Sequence, residues 1–105
     1  MSTEDLLEEL ISSGVKAYKK LYHNSKEGRK LERHEKTVID GVEFTCWREY
    51  AVYKTAEFVA DIIPPSQIEV ILDGNSSLIT ITCDSGEQQE INRKLFLLLK
   101  EENII

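Results

Sequence analysis

From Ser2 to Tyr22 the apolar residues recur at helical spacing, with Leu7, Leu10, Ile11, Val15, Tyr18, Leu21 and Tyr22 on one face. This pattern predicts a first helix, capped by Ser2 or Thr3, with Lys16, Lys19, Lys20 and His23 turned to solvent. The periodicity then fails. Between Ser25 and Lys36 the single apolar residue is Leu31, and Gly28 weakens any helix that restarts. The segment is therefore expected to be a mobile loop, or an exposed helical turn or two with nothing to anchor a packed face. If it is helical, Lys26, Arg29, Lys30 and Arg33 fall at i, i+3, i+4 and i+7 and make a basic stripe.

Period-two alternation takes over around Asp40–Gly41, a strong signal for a two-residue hairpin turn with positive φ at both positions. The implied pairing sets Ile39 against Val42 and Thr37 against Phe44, with Cys46 continuing that face and Trp47 on the other. Arg48 to Ile63 fits two periods: Val52, Ala56, Val59 and Ile63 match a helix, while Tyr50, Val52, Ala56, Phe58, Ala60 and Ile62 alternate as in a strand. The expectation is strand to about Tyr50 and helix from there to Ile63, stopped by Pro64–Pro65. A second hairpin follows, turning at Asp73–Gly74–Asn75–Ser76, with Ile68 opposite Ile81, Val70 opposite Ile79 and Leu72 opposite Ser77. Asp84–Ser85–Gly86 is expected to turn again before a last helix from Gln88 to Glu102, with Ile91, Leu95, Leu98 and Leu99 inward.

These elements predict one α+β domain over residues 1–105: a small antiparallel sheet built from two β-hairpins, helices packed on it, in the order α-β-β-α-β-β-α. With 105 residues, 41% of them hydrophobic, the chain can bury a core without disulfides or a metal.

Charge adds the one feature that points beyond folding. The net charge is −6, yet Lys16 to Lys36 holds eight of the thirteen basic residues and only Glu27, Glu32 and Glu35 among acids, so it stands at +5 and the remainder at −11. A local field of that sign steers anionic partners. Part of the pattern is structural, because early acids and late lysines in the first helix complement its dipole. The N-terminal MSTEDLLEEL is acidic where a secretory leader would be basic, and Leu95–Leu99 is too short to span a bilayer. Both features favour a cytoplasmic protein with no membrane contact.

Chemistry-bearing residues are sparse. Cys46 and Cys83, separated by thirty-six residues, match no zinc or redox spacing and read as reduced, inert thiols on apolar faces. His23 or His34 as a base for Cys46 would make a nucleophile, but no local nucleophile motif surrounds it. Asp73-x-Asn75-x-Ser77 echoes a calcium loop but has Leu78 where glycine is required and Asp84 where glutamate is required. No phosphate-binding, hydrolase or metalloprotease motif is present, so no catalytic residue, cofactor or metal is expected.

The expected function is thus a small cytosolic binding or regulatory protein acting by protein–protein contact, of the kind found among phage or mobile-element accessory and inhibitor proteins. Its candidate contact residues are Lys26, Arg29, Lys30, Arg33 and Trp47, and its expected partner is an acidic protein. The alternative is an accessory protein contacting nucleic acid through Lys16–Lys36. Phe96 and Leu97 exceed what one buried helix face requires and offer a homodimer contact.

Overall fold

A computed structural model describes residues 2–105. The first helix, α1, runs Thr3–Tyr22. Ser2 caps it reciprocally with Asp5: the Ser2 hydroxyl accepts from the Asp5 N–H at 3.2 Å, and the Asp5 carboxylate accepts from the Ser2 N–H at 3.4 Å. Its buried face is shifted toward the N-terminus relative to expectation. Leu6, Leu7, Leu10 and Ile11 are buried, whereas Leu21, expected inward, is 69% exposed, and the later turns pack through the partly buried Val15, Tyr18 and Tyr22 instead.

A second, short helix, α2, spans Lys26–Glu32. The expectation of an unanchored segment is corrected here, because Leu31 is only 1% exposed. One leucine suffices because it enters a pocket of aromatic side chains brought from elsewhere: Phe44, Trp47 and Tyr50, with Tyr18, Tyr22 and Tyr53 around them. Gly28 is a requirement of this packing and no weakness. A Cβ there would collide with the Tyr22 carbonyl oxygen and lie 2.9 Å from Ser25 Oγ. The Ser25 hydroxyl accepts from the Gly28 N–H at 2.9 Å and donates to the Tyr22 carbonyl at 2.8 Å, so one side chain closes α1 and opens α2. At its other end His34 takes a left-handed φ of +59°, and Glu35 N–H reaches back to the Lys30 carbonyl at 2.9 Å.

Strands β1 (Thr37–Ile39) and β2 (Val42–Phe44) pair with Thr37 opposite Phe44 and Ile39 opposite Val42, as the turn signal implied. Asp40 and Gly41 both have positive φ, 53° and 81°. Helix α3 then occupies Trp47–Ala60. The expected continuation of a strand to Tyr50 is corrected: the chain leaves the hairpin at Phe44 and is helical from Trp47. Two buried contacts decide it. Tyr50 reaches the aromatic pocket, while the adjacent Ala51 and Val52 both reach the main core with Val59 and Ile63; a strand would send Ala51 and Val52 to opposite faces.

Strands β3 (Ile68–Ile71) and β4 (Leu78–Ile81) pair in the expected register, Ile68 with Ile81 and Val70 with Ile79. Helix α4 covers Ser85–Glu101, so the expected turn at Asp84–Ser85–Gly86 is instead a helix start. Asp84 is its cap and Glu87 its reciprocal partner. Ile91, Leu95, Leu98 and Leu99 are all buried.

The α+β class and the order α-β-β-α-β-β-α hold, with α2 added after the first helix. The hairpins do not join into one sheet; each is a two-stranded sheet of its own. The main core gathers α1, α3, α4 and Ile79 of β4, and the aromatic cluster lies beside it around Leu31. Val15 and Tyr18 of α1 touch both. Among the described residues no helix is long and apolar enough to cross a membrane.

Candidate functional site

Because Gly28 and Leu31 face inward, the helical repeat turns Lys26, Arg29, Lys30 and Arg33 outward together. Lys26, Arg29 and Arg33 are exposed and Lys30 is half-buried. Ion pairs divide the basic segment. Arg33 is held by Glu35 at 3.0 Å, Lys36 meets Glu43 at 3.7 Å, and Lys19 of α1 meets Glu32 at 3.9 Å. Among the described residues Lys26, Arg29 and Lys30 enter no ion pair. Arg29 is nonetheless oriented, since its guanidinium donates to the Asn24 and Ser25 carbonyls at 3.3 and 3.4 Å. The hydrogen bond from Arg33 and its positive charge hold the Glu35 carboxyl below its ordinary range.

Trp47 is not part of this face. It is 6% exposed, in the aromatic cluster, and its indole N–H donates to Glu32 Oε2 at 2.7 Å. The expected placement opposite Phe44 rested on a strand continuing through it; as the first residue of α3 it packs beside Phe44 instead. Its contact with Glu32 positions α2, so Trp47 supports the basic face from beneath. Around it Tyr50 packs edge-on against Tyr18 and Phe44, with ring centroids 4.8 and 5.2 Å away. Burial, together with the hydrogen bond to Tyr22, pushes the Tyr50 hydroxyl pKa well up.

Two carboxylates unremarked in the sequence lock the neighbouring elements. Glu49 is buried, and burial alone would raise its pKa. Its hydrogen bonds from Thr45 Oγ1 at 2.7 Å, Gly74 N–H at 3.0 Å and Thr45 N–H at 2.6 Å outweigh that and hold the carboxyl below its ordinary value. Glu8 of α1 takes a two-pronged contact from Arg48 at 2.8 and 2.9 Å, while Arg48 Nε donates to the Ser77 carbonyl at 2.8 Å. The only sequence trace of the first arrangement is Thr45 four residues before Glu49 at a helix start; the second joins residues forty apart and leaves none.

The residues weighed for chemistry are scattered. Cys46 is buried at the start of α3 and Cys83 is half-buried beyond β4. His23 sits at the end of α1 against the Lys20 carbonyl, and His34 stands exposed in the turn after α2. The Asp73–Ser77 loop is tied internally: Ser77 Oγ donates to the Gly74 carbonyl at 2.7 Å and accepts from the Asp73 N–H at 2.8 Å. No group of three or more metal-ligating side chains occurs among the described residues. Phe96 and Leu97 are exposed on α4, with the Lys100 ammonium 5.3 Å over the Phe96 ring. Neither a protein-family model, nor a curated protein, nor a solved structure matches the chain.

Proposed function

We propose that this chain is a small binding protein that acts by occupying an acidic protein partner, with the outward face of α2 as its contact surface. One observation carries the reading. Lys26, Arg29 and Lys30 stand on one side of a helix anchored by Leu31 and, among the described residues, enter no ion pair, on a protein of net charge −6. A cation not held in an ion pair stays available to an external anion, and an anchored helix presents several at fixed spacing. Action in the cytoplasm, and a regulatory role like that of phage or mobile-element accessory and inhibitor proteins, belong to the same proposal.

The test is reversal of Lys26, Arg29, Lys30 and Arg33 to Glu, followed by capture from native lysate with competitor DNA present. Wild-type chain should retain an acidic protein that the reversed chain loses, and its association should slow as salt rises. Binding to unrelated DNA or RNA, falling steeply with salt, would replace the protein partner by nucleic acid. A reversed chain that folds and keeps its partner would remove α2 from the mechanism.

A further inference from the structure

Four of the exposed large apolar residues belong to one hairpin: Val70 at 37%, Ile71 at 41%, Leu72 at 38% and Leu78 at 41%. They lie on both of its faces. Opposite residues of an antiparallel pair share a face, so Val70 sides with the buried Ile79 while Ile71 and Leu78 point away from the core together. Between β3 and α3 runs an open apolar groove of about 470 Å³, floored by Ala56 and Ala60 and walled by Tyr53, Ile68, Val70 and Leu72.

The backbone beside this groove is a free strand edge. Thr82 N–H donates to the Gln67 carbonyl at 2.9 Å, and the register continues that pair to Glu69–Thr80 and Ile71–Leu78. Ile68, Val70 and Leu72 occupy the alternate positions, so their peptide groups point away from β4. The Ile68 N–H is taken by the Pro65 carbonyl, which leaves the Ile68 carbonyl and both groups of Val70 and Leu72. Edges of this kind are ordinarily blunted by lysine, proline or a bulge; β3 carries only Glu69.

We infer that β3 pairs with β3 of a second copy of this chain, antiparallel about a two-fold axis through Val70, to give a four-stranded sheet. The edge is self-complementary in that register. Val70 of each copy exchanges N–H and carbonyl with the other, and each Leu72 N–H reaches the other's Ile68 carbonyl. Ile68 and Leu72 then meet on the core-facing side, so the two grooves merge into one apolar surface. Glu69 lies opposite Ile71 of the other copy and never opposite its own equivalent, which avoids a like-charge pair. A strand pairing plus a shared groove falls at or below the small end of specific interfaces, which bury about 1,200–2,000 Å² in total, so the dimer is expected to be reversible.

Sedimentation of the full chain from roughly 1 μM to 1 mM should show a monomer–dimer equilibrium within that range. Val70→Pro removes an N–H that β4 does not use, so the hairpin is retained and association should weaken at least tenfold, with unchanged helical circular dichroism. Should that variant misfold, Val70→Cys in a Cys83→Ser background is the second probe. Facing residues of a hydrogen-bonded antiparallel pair have Cα atoms about 5.5 Å apart, within disulfide reach, so mild oxidation should yield a covalent dimer that Glu69→Cys does not. A wild-type chain monomeric throughout would overturn the inference and leave the edge for a partner's strand. A dimer that survives folded Val70→Pro but dissociates on Phe96→Glu with Leu97→Glu would move the interface to α4.

Discussion

Glu49 shows how much one side chain can hold. Its carboxylate ties the end of the first hairpin to the loop of the second through Thr45 and Gly74. Those three donors require an acceptor, and Glu49→Gln turns an amide NH₂ toward at least one of them. The expected loss is about 1–3 kcal/mol near neutral pH, read by urea unfolding. Folding lowers this carboxyl's pKa, so its contribution is full above the ordinary carboxylate value and fades as pH falls through the folded value. The gap between wild type and Glu49→Gln should therefore narrow in acid. At Gly28 two effects oppose each other: alanine gains about 1 kcal/mol of helix propensity, but its Cβ strikes the Tyr22 carbonyl, a backbone atom that cannot swing aside. Overpacking of that kind costs about 1–3 kcal/mol, so Gly28→Ala should lower the melting temperature. His34, left-handed at φ +59°, is the converse case. His34→Gly relieves a cost of about 1–2 kcal/mol and should raise stability, less the entropy glycine returns to the unfolded chain.

At the scale of the element, α2 separates stability from contact. Leu31 is its sole buried side chain, so Leu31→Ala should cost about 2–5 kcal/mol. Lys26→Glu with Lys30→Glu breaks no ion pair among the described residues and should leave stability within about 0.5 kcal/mol per site, while abolishing partner capture. Unfolding followed by the fluorescence of the single, buried Trp47 distinguishes the two variants. The hairpins were legible in the sequence because turn chemistry and period-two alternation are local, and Asp40–Gly41 sets its register without outside help. Helix α3 was legible only in part. Its apolar residues serve two cores in different directions, which blurs any single period.

Across the whole molecule, the main core holds thirteen buried residues and the aromatic cluster four. The smaller cluster is closed by a seven-residue helix and a hairpin of two three-residue strands, elements with few hydrogen bonds of their own. Native-state exchange should therefore release amides of Lys26–Phe44 ahead of those in α1 and α4 around Leu10, Leu95 and Leu99. Equal protection in both regions would show that Val15 and Tyr18, which touch both clusters, couple them into one cooperative unit.

By itself the sequence determined the α+β class, the order of its main elements, both hairpin registers and the inward face of α4. Each rests on residues close in the chain, through caps, turns and side-chain period. It also marked the basic segment, since charge needs no coordinates. Tertiary structure alone decided that Leu31 anchors α2, that Trp47 lies beneath the basic face and not on it, and that the hairpins form separate sheets. It alone brought Glu8 to Arg48 and Glu49 to Gly74. Those outcomes depend on contacts between residues far apart in the chain, where an aromatic pocket or a buried donor selects its partner by position in space, and no local pattern records that choice.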